Sequence, residues 1–210
     1  MSTVFPFRPG EVDSILDYLK KKNMRDFTWF FLGCNTALRV SDLLNLKIGD
    51  VVVRKGDKWR IRPQIHLKEK KTGKRRTIYL SNPSVEYRLR QYLNTLEPLE
   101  DDAPLFPSRK HKGREYPALS RKQAWYIVQL ACLAADIDTF GKGTHSMRKT
   151  FVRRCLDSGY SVDLIQHLLG HSSASITLAY AGFTEDDIKK MYKEVNIGIR
   201  NRAKATDRQR

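Results

Sequence analysis

The apolar pattern of this chain changes period twice, and that change limits the folds open to it. Val12, Ile15, Leu16 and Leu19 share one face of a helix that Pro9-Gly10-Glu11 opens. A second apolar helix is expected from about 25 to 35, and a short third one starts near Arg39 and carries Leu43 and Leu44. From about Leu46 to Leu80 the helical spacing is lost. Val51-Val52-Val53, Trp59-Arg60-Ile61, Ile65-His66-Leu67 and Thr77-Ile78-Tyr79 read as short strands. Lys55-Gly56-Asp57 and Thr72-Gly73-Lys74 are the turns between them. The helical period then returns. The expected class is α+β, mainly α: a helical domain with a small antiparallel sheet, three-stranded, inserted in it.

After the sheet, Ser81-Asn82-Pro83 starts a helix carrying Val85, Leu89, Tyr92, Leu93 and Leu96, since proline is tolerated in a first turn. Residues 97–118, rich in proline and charge, are expected as a loop. Ser120 is a candidate cap for a helix over 121–135, and Thr144 for another that Gly159 stops. Val162 to Leu169 reads as a short helix stopped by Gly170. A further helix holds Tyr180, and Thr184-Glu185-Asp186-Asp187 begins the last, with acids where the helix dipole favours them.

A length of 210 residues suits one domain with a sizeable core. Net charge is +16, an excess that points to a polyanionic partner. No apolar run is long enough for a bilayer, and no basic amphipathic helix with an aromatic face stands out, so a membrane partner ranks low. The first residues lack a signal-peptide pattern, which leads to an expectation of a cytoplasmic protein. Cys34, Cys132 and Cys155 are odd in number, widely spaced and set in apolar helical contexts. Buried free thiols in a reducing compartment are expected. There is no GxxxxGK[ST] loop for a nucleotide.

The chemistry-bearing residues concentrate towards the end of the chain. His145 and Arg148 stand three apart on one helix face. For such a pair alone, a solvated face is the ordinary reading. His167 and His171 are four apart, which raises zinc. A metalloprotease helix needs Glu after the first histidine, and Leu168 stands there instead; Gly170 also breaks the helix, and no third ligand is evident. No metal is expected, and His167 reads as a surface or packing histidine.

Four boxes in order resemble those of the tyrosine recombinases, the phage integrase family of site-specific DNA recombinases. Ala37-Leu38-Arg39-Val40-Ser41-Asp42-Leu43-Leu44 is similar to the family's first-arginine box, and Lys70-Lys71-Thr72-Gly73-Lys74 to its hairpin lysine. Thr144-His145-Ser146-Met147-Arg148 matches its HxxR box, and Leu168-Leu169-Gly170-His171 with Tyr180 its LGH…Y box. The resemblance covers about residues 8–195. It implies the fold of DNA breaking–rejoining enzymes and a catalytic set of Arg39, Lys71, His145, Arg148, His171 and Tyr180. Two guanidiniums suit the charge that develops on a phosphodiester under attack, because they bind it bidentately and keep their protons. A phenol, with a pKa of about 10, needs help to act as nucleophile. By resemblance Tyr180 is that nucleophile and Lys71, with Lys70 as the alternative, the leaving-group acid. Asp42 is either a partner holding an arginine or a plain helix acid. Neither metal nor ATP is implied.

The stretch from Arg54 to Arg76 is densely basic, with Asp57 and Glu69 its only acids. Lys68, Lys70, Lys74, Arg75 and Arg76 are candidates for contact with the backbone of double-stranded DNA, and Arg121 and Lys122 open a helix that is a candidate for a groove. The expected division is a catalytic domain over 1–198 and a basic, flexible tail over 199–210, without the N-terminal core-binding domain of typical members. By resemblance the last helix docks on a neighbouring subunit in a homotetramer on DNA. The rival readings are a DNA-binding accessory protein without catalysis, and a type IB topoisomerase or resolvase with the same chemistry.

Overall fold

The computed structural model describes residues 4–56, 58–69, 73, 75–96, 98–109 and 116–170. Four helices come first: α1 (Glu11–Lys22), α2 (Met24–Thr36), α3 (Val40–Leu44) and α4 (Ile48–Val51). Strands β1 (Val52–Lys55), β2 (Lys58–Ile61), β3 (Gln64–Lys68) and β4 (Arg75–Tyr79) follow. The described chain ends with α5 (Pro83–Leu93), α6 (Arg121–Ala134), α7 (Thr144–Asp157) and α8 (Val162–Leu169). None of these helices is long and apolar enough to cross a membrane. The expected last helix and basic tail lie outside the described residues.

Side chains at the helix starts explain several of these boundaries. The Asn23 side chain accepts the Arg25 and Asp26 amides, and Asn82 accepts the Ser84 amide one residue past Pro83. At α6, Ser120 Oγ accepts the Gln123 amide while Gln123 Oε1 accepts the Ser120 amide, a reciprocal box that satisfies two otherwise idle donors. Thr144 does not cap α7. It is the first helical residue, and Gly143 precedes it with its amide given to Ser146 Oγ at 3.0 Å. Gly170 closes α8 at φ 65°, a left-handed conformation that costs glycine little.

The sheet differs from the expectation. Among the described residues, four strands form two separate antiparallel hairpins, β1–β2 and β3–β4, rather than one three-stranded sheet. Pro63, between β2 and β3, explains the break, because it has no amide to give a ladder. The first ladder ends where the Arg62 amide reaches Val51 O, and the second begins where the Leu80 amide reaches Pro63 O, both at 2.8 Å. Val51, expected in a strand, instead ends the α4 turn.

α2 is the centre of the helical part and packs against α1, α5 and α7. Its Trp29, Phe30 and Leu32 are fully buried, and α1 presents Ile15 and Leu19 to it. The loop after α5 has no helix or strand among its described residues, yet it is pinned. Tyr92 Oη donates to Leu105 O at 2.8 Å, Leu105 and Phe106 are buried, and bridges join Lys47 to Pro104 and Pro107 to Ala118. The Thr150 hydroxyl accepts the Phe7 amide at 2.8 Å, which fastens the N-terminal segment to α7.

Candidate active site

The site begins where α2 ends. Ala37 takes a left-handed φ of 52°, rare for a residue with a Cβ, and turns the chain so that Arg39 stands at the N-terminus of α3. There the Arg39 carbonyl accepts the Asp42 and Leu43 amides, both at 2.9 Å, so the first turn of α3 fixes its backbone. The Arg39 side chain, 13% exposed, forms an ion pair with Glu69.

Glu69 immediately follows β3. Its side chain is 2% exposed and also meets Arg76 at 3.3 Å. Both placements follow from strand alternation. Ile65 is buried, Leu67 half-buried and Glu69 buried, while His66 and Lys68 face water. Across the ladder Arg76 opposes Leu67, and Ile78 opposes Ile65. Arg76 therefore turns inward, although its charge suggests a DNA contact. Burial lowers its pKa from the ordinary arginine value, and the charges of Glu69 and of the buried Asp42 oppose that shift. Asp42 thus lies where an arginine feels it.

Arg148 lies on α7. It is 1% exposed, one of the largest fully buried side chains, so the solvated-face reading fails for it. Its Nη1 donates to Ala37 O at 2.5 Å and its Nη2 to Leu169 O at 3.2 Å. One planar fork thereby joins three elements. Ala37 lies two residues before Arg39, and Leu169 is the last residue of α8, two before His171. His145, three residues before Arg148, is exposed at the start of α7. A cavity of about 600 Å³ opens alongside, lined by Thr36, Glu69, Arg76, His167 and Gly170 among others.

Lys70, Lys71, Lys74, His171 and Tyr180 lie outside the described residues. Lys68, Arg75, Arg121 and Lys122 are exposed, and Lys122 Nζ stands 6.0 Å from the centre of the Tyr126 ring. Sequence reasoning passed over Glu69 as one acid in a basic stretch. Continuing the alternation one step beyond β3 marks it as inward-facing. The three cysteines are free; Cys132 is buried, and Cys34 and Cys155 are half-buried. Burial raises all three thiol pKa values, Cys132 to about 11, which keeps them protonated near neutral pH.

Comparison with known proteins gives this geometry a context. A family model described as the Phage integrase family matches residues 7–187. The probable integrase/recombinase YoeC of Bacillus subtilis is 34% identical over 194 residues, covering 92% of this chain and 97% of YoeC. Tyrosine recombinase XerA of Pyrococcus furiosus is 32% identical over 188 residues, covering 89% of this chain and 60% of XerA. Among solved structures, XerH site-specific recombinase bound to its palindromic difH substrate, in a post-cleavage complex, superposes with a TM-score of 0.69 at 21% identity. That likeness covers 90% of this chain and 52% of XerH, and it concerns the fold. The family match over most of the length, and a relative above 30% identity matched nearly end to end, place this chain in the phage integrase family, the tyrosine recombinases.

Proposed function

We propose that this chain is a site-specific DNA recombinase that cuts and rejoins strands through a 3′-phosphotyrosyl bond to Tyr180. The observation that carries the reading is the Arg148 fork. It ties the carbonyl of Ala37, two residues before Arg39, to that of Leu169, two before His171, so backbone from two sequence-distant boxes meets the arginine of a third. Arg39 and Arg148 address the non-bridging oxygens of the scissile phosphate. The Tyr180 oxygen attacks phosphorus, and the bond to the 5′ oxygen breaks. His145 takes the phenolic proton or holds the phosphate, His171 donates a hydrogen bond to it, and Lys71 protonates the leaving oxygen. Tyrosine replaces one ester by another, so the energy of the broken bond is kept and religation runs in reverse with neither ATP nor metal. Lys68, Lys70, Lys74, Arg75, Arg121 and Lys122 contact the DNA. Residues 1–198 act as the catalytic domain, in the cytoplasm, and the last helix links subunits into a homotetramer on DNA.

The test uses a duplex selected from a random-sequence library by binding to the protein, then nicked near the cleavage position so that cut product escapes religation. Wild type is expected to form a covalent adduct, and Tyr180→Phe to bind without forming one. An adduct that survives Tyr180→Phe overturns the assignment. Binding with no adduct from wild type returns the accessory-protein reading, and relaxation of supercoiled plasmid lacking the selected site the topoisomerase one.

A further inference from the structure

Glu69 is a buried charged group that the proposed reaction does not use. It is a carboxylate at 2% exposure, in ion pairs with Arg39 from the start of α3 and Arg76 from β4. Its own carbonyl accepts the Gly73 amide at 2.9 Å. Burying a carboxylate is costly, and a buried ion pair seldom adds net stability over apolar packing of the same volume. The arrangement is better explained by what it orients. Arg39 has a long side chain whose rotamer freedom must be lost before a phosphate is gripped. Its backbone is held by α3, and its guanidinium by a residue thirty positions later in the sequence. A planar guanidinium held along one edge can present another.

We propose that Glu69 is a positioning residue for the proposed recombination reaction: it holds the Arg39 guanidinium ready for the scissile phosphate. This inference rests on the recombinase reading. It also opposes a different role for the same contact, in which Glu69 occupies the phosphate's place and restrains the free protein.

The experiment measures single-turnover cleavage of the selected, nicked duplex at saturating DNA, with affinity measured separately at one salt concentration. Glu69→Gln is expected to slow cleavage roughly tenfold to a hundredfold, the scale for a misplaced group, with affinity unchanged. Glu69→Asp, which keeps the charge, is expected to recover part of that loss. On an Arg39→Ala background, Glu69→Gln is expected to add no further loss, since both act through one guanidinium. A duplex with sulfur as the bridging leaving atom, which departs without a proton donor, is expected to leave the Glu69→Gln defect in place. Wild-type cleavage by Glu69→Gln overturns the proposal, and faster cleavage replaces it with the restraining role. Rescue by the sulfur substrate also overturns it, in favour of action through the lysine. If Glu69→Gln lacks a cooperative melt, Glu69→Gln with Arg76→Gln removes the guanidinium left without its anion and serves in its place. A wild type that forms no adduct defeats the recombinase reading instead, so the two failures are distinct.

Discussion

Arg148 is the residue whose environment says most. An arginine this deeply buried contributes through what it satisfies: the carbonyls of Ala37 and Leu169 receive its two terminal nitrogens. Arg148→Lys offers a single ammonium on a flexible stem, which cannot span both acceptors as the fork does. The cost of leaving buried acceptors unmet is about 2–4 kcal/mol. Arg148→Lys is therefore expected to lower the urea midpoint as well as to slow adduct formation. An unchanged midpoint would show that the two carbonyls find other donors. Such a dual role was not legible in the HxxR spacing, which places Arg148 one turn from His145 but says nothing of burial. His145 is exposed and Arg148 enclosed on the same helix. The difference comes from α2 and α8 closing over α7 one turn in, a tertiary fact.

At the scale of elements, the contact between α2 and α7 sets the position of Arg148 relative to Arg39. Gly33 makes the close approach possible. A Cβ there would lie 2.6 Å from Met147 Sδ and 2.9 Å from its Cε. Exchanging an interior helical glycine for alanine otherwise gains about 1 kcal/mol. Overpacking costs about 1–3 kcal/mol, and Met147 at 2% exposure has little room to move. Gly33→Ala is thus expected to be destabilising by about 1 kcal/mol, read as a lowered thermal midpoint, where propensity alone predicts a rise. A raised midpoint would mean that Met147 rotates away at no cost. Local signals did mark most elements. The Ser120–Gln123 box, Asn82-Pro83 and Gly170 each act within a few residues, so they are visible in sequence. Strand pairing is not local. The effect of Pro63, dividing one expected sheet into two hairpins, depends on which amides a neighbouring strand calls for.

For the whole molecule, charge is the dominant quantity. A net +16 gives strong, salt-dependent attraction to a polyanion, with Lys68, Arg75, Arg121 and Lys122 all exposed to deliver it. Replacing both Arg121 and Lys122 with Gln is expected to reduce the slope of log affinity against log salt by roughly two, about one for each phosphate that is no longer neutralised. An unchanged slope in a salt titration would remove the start of α6 from the DNA interface. Arg76 shows why a count of basic residues overstates such an interface: strand alternation turns it onto Glu69. The sequence by itself determined the helical class with its inserted β segment, which follows from short-range periodicity. Four ordered boxes in it carried the resemblance to the family. Only the tertiary structure decided that Arg148 is enclosed and joins two of those boxes, that Arg76 faces inward, and that Glu69 holds Arg39. Burial and ion pairing arise from segments far apart in the chain, and the energy of a charge depends on its surroundings as much as on the residue that carries it.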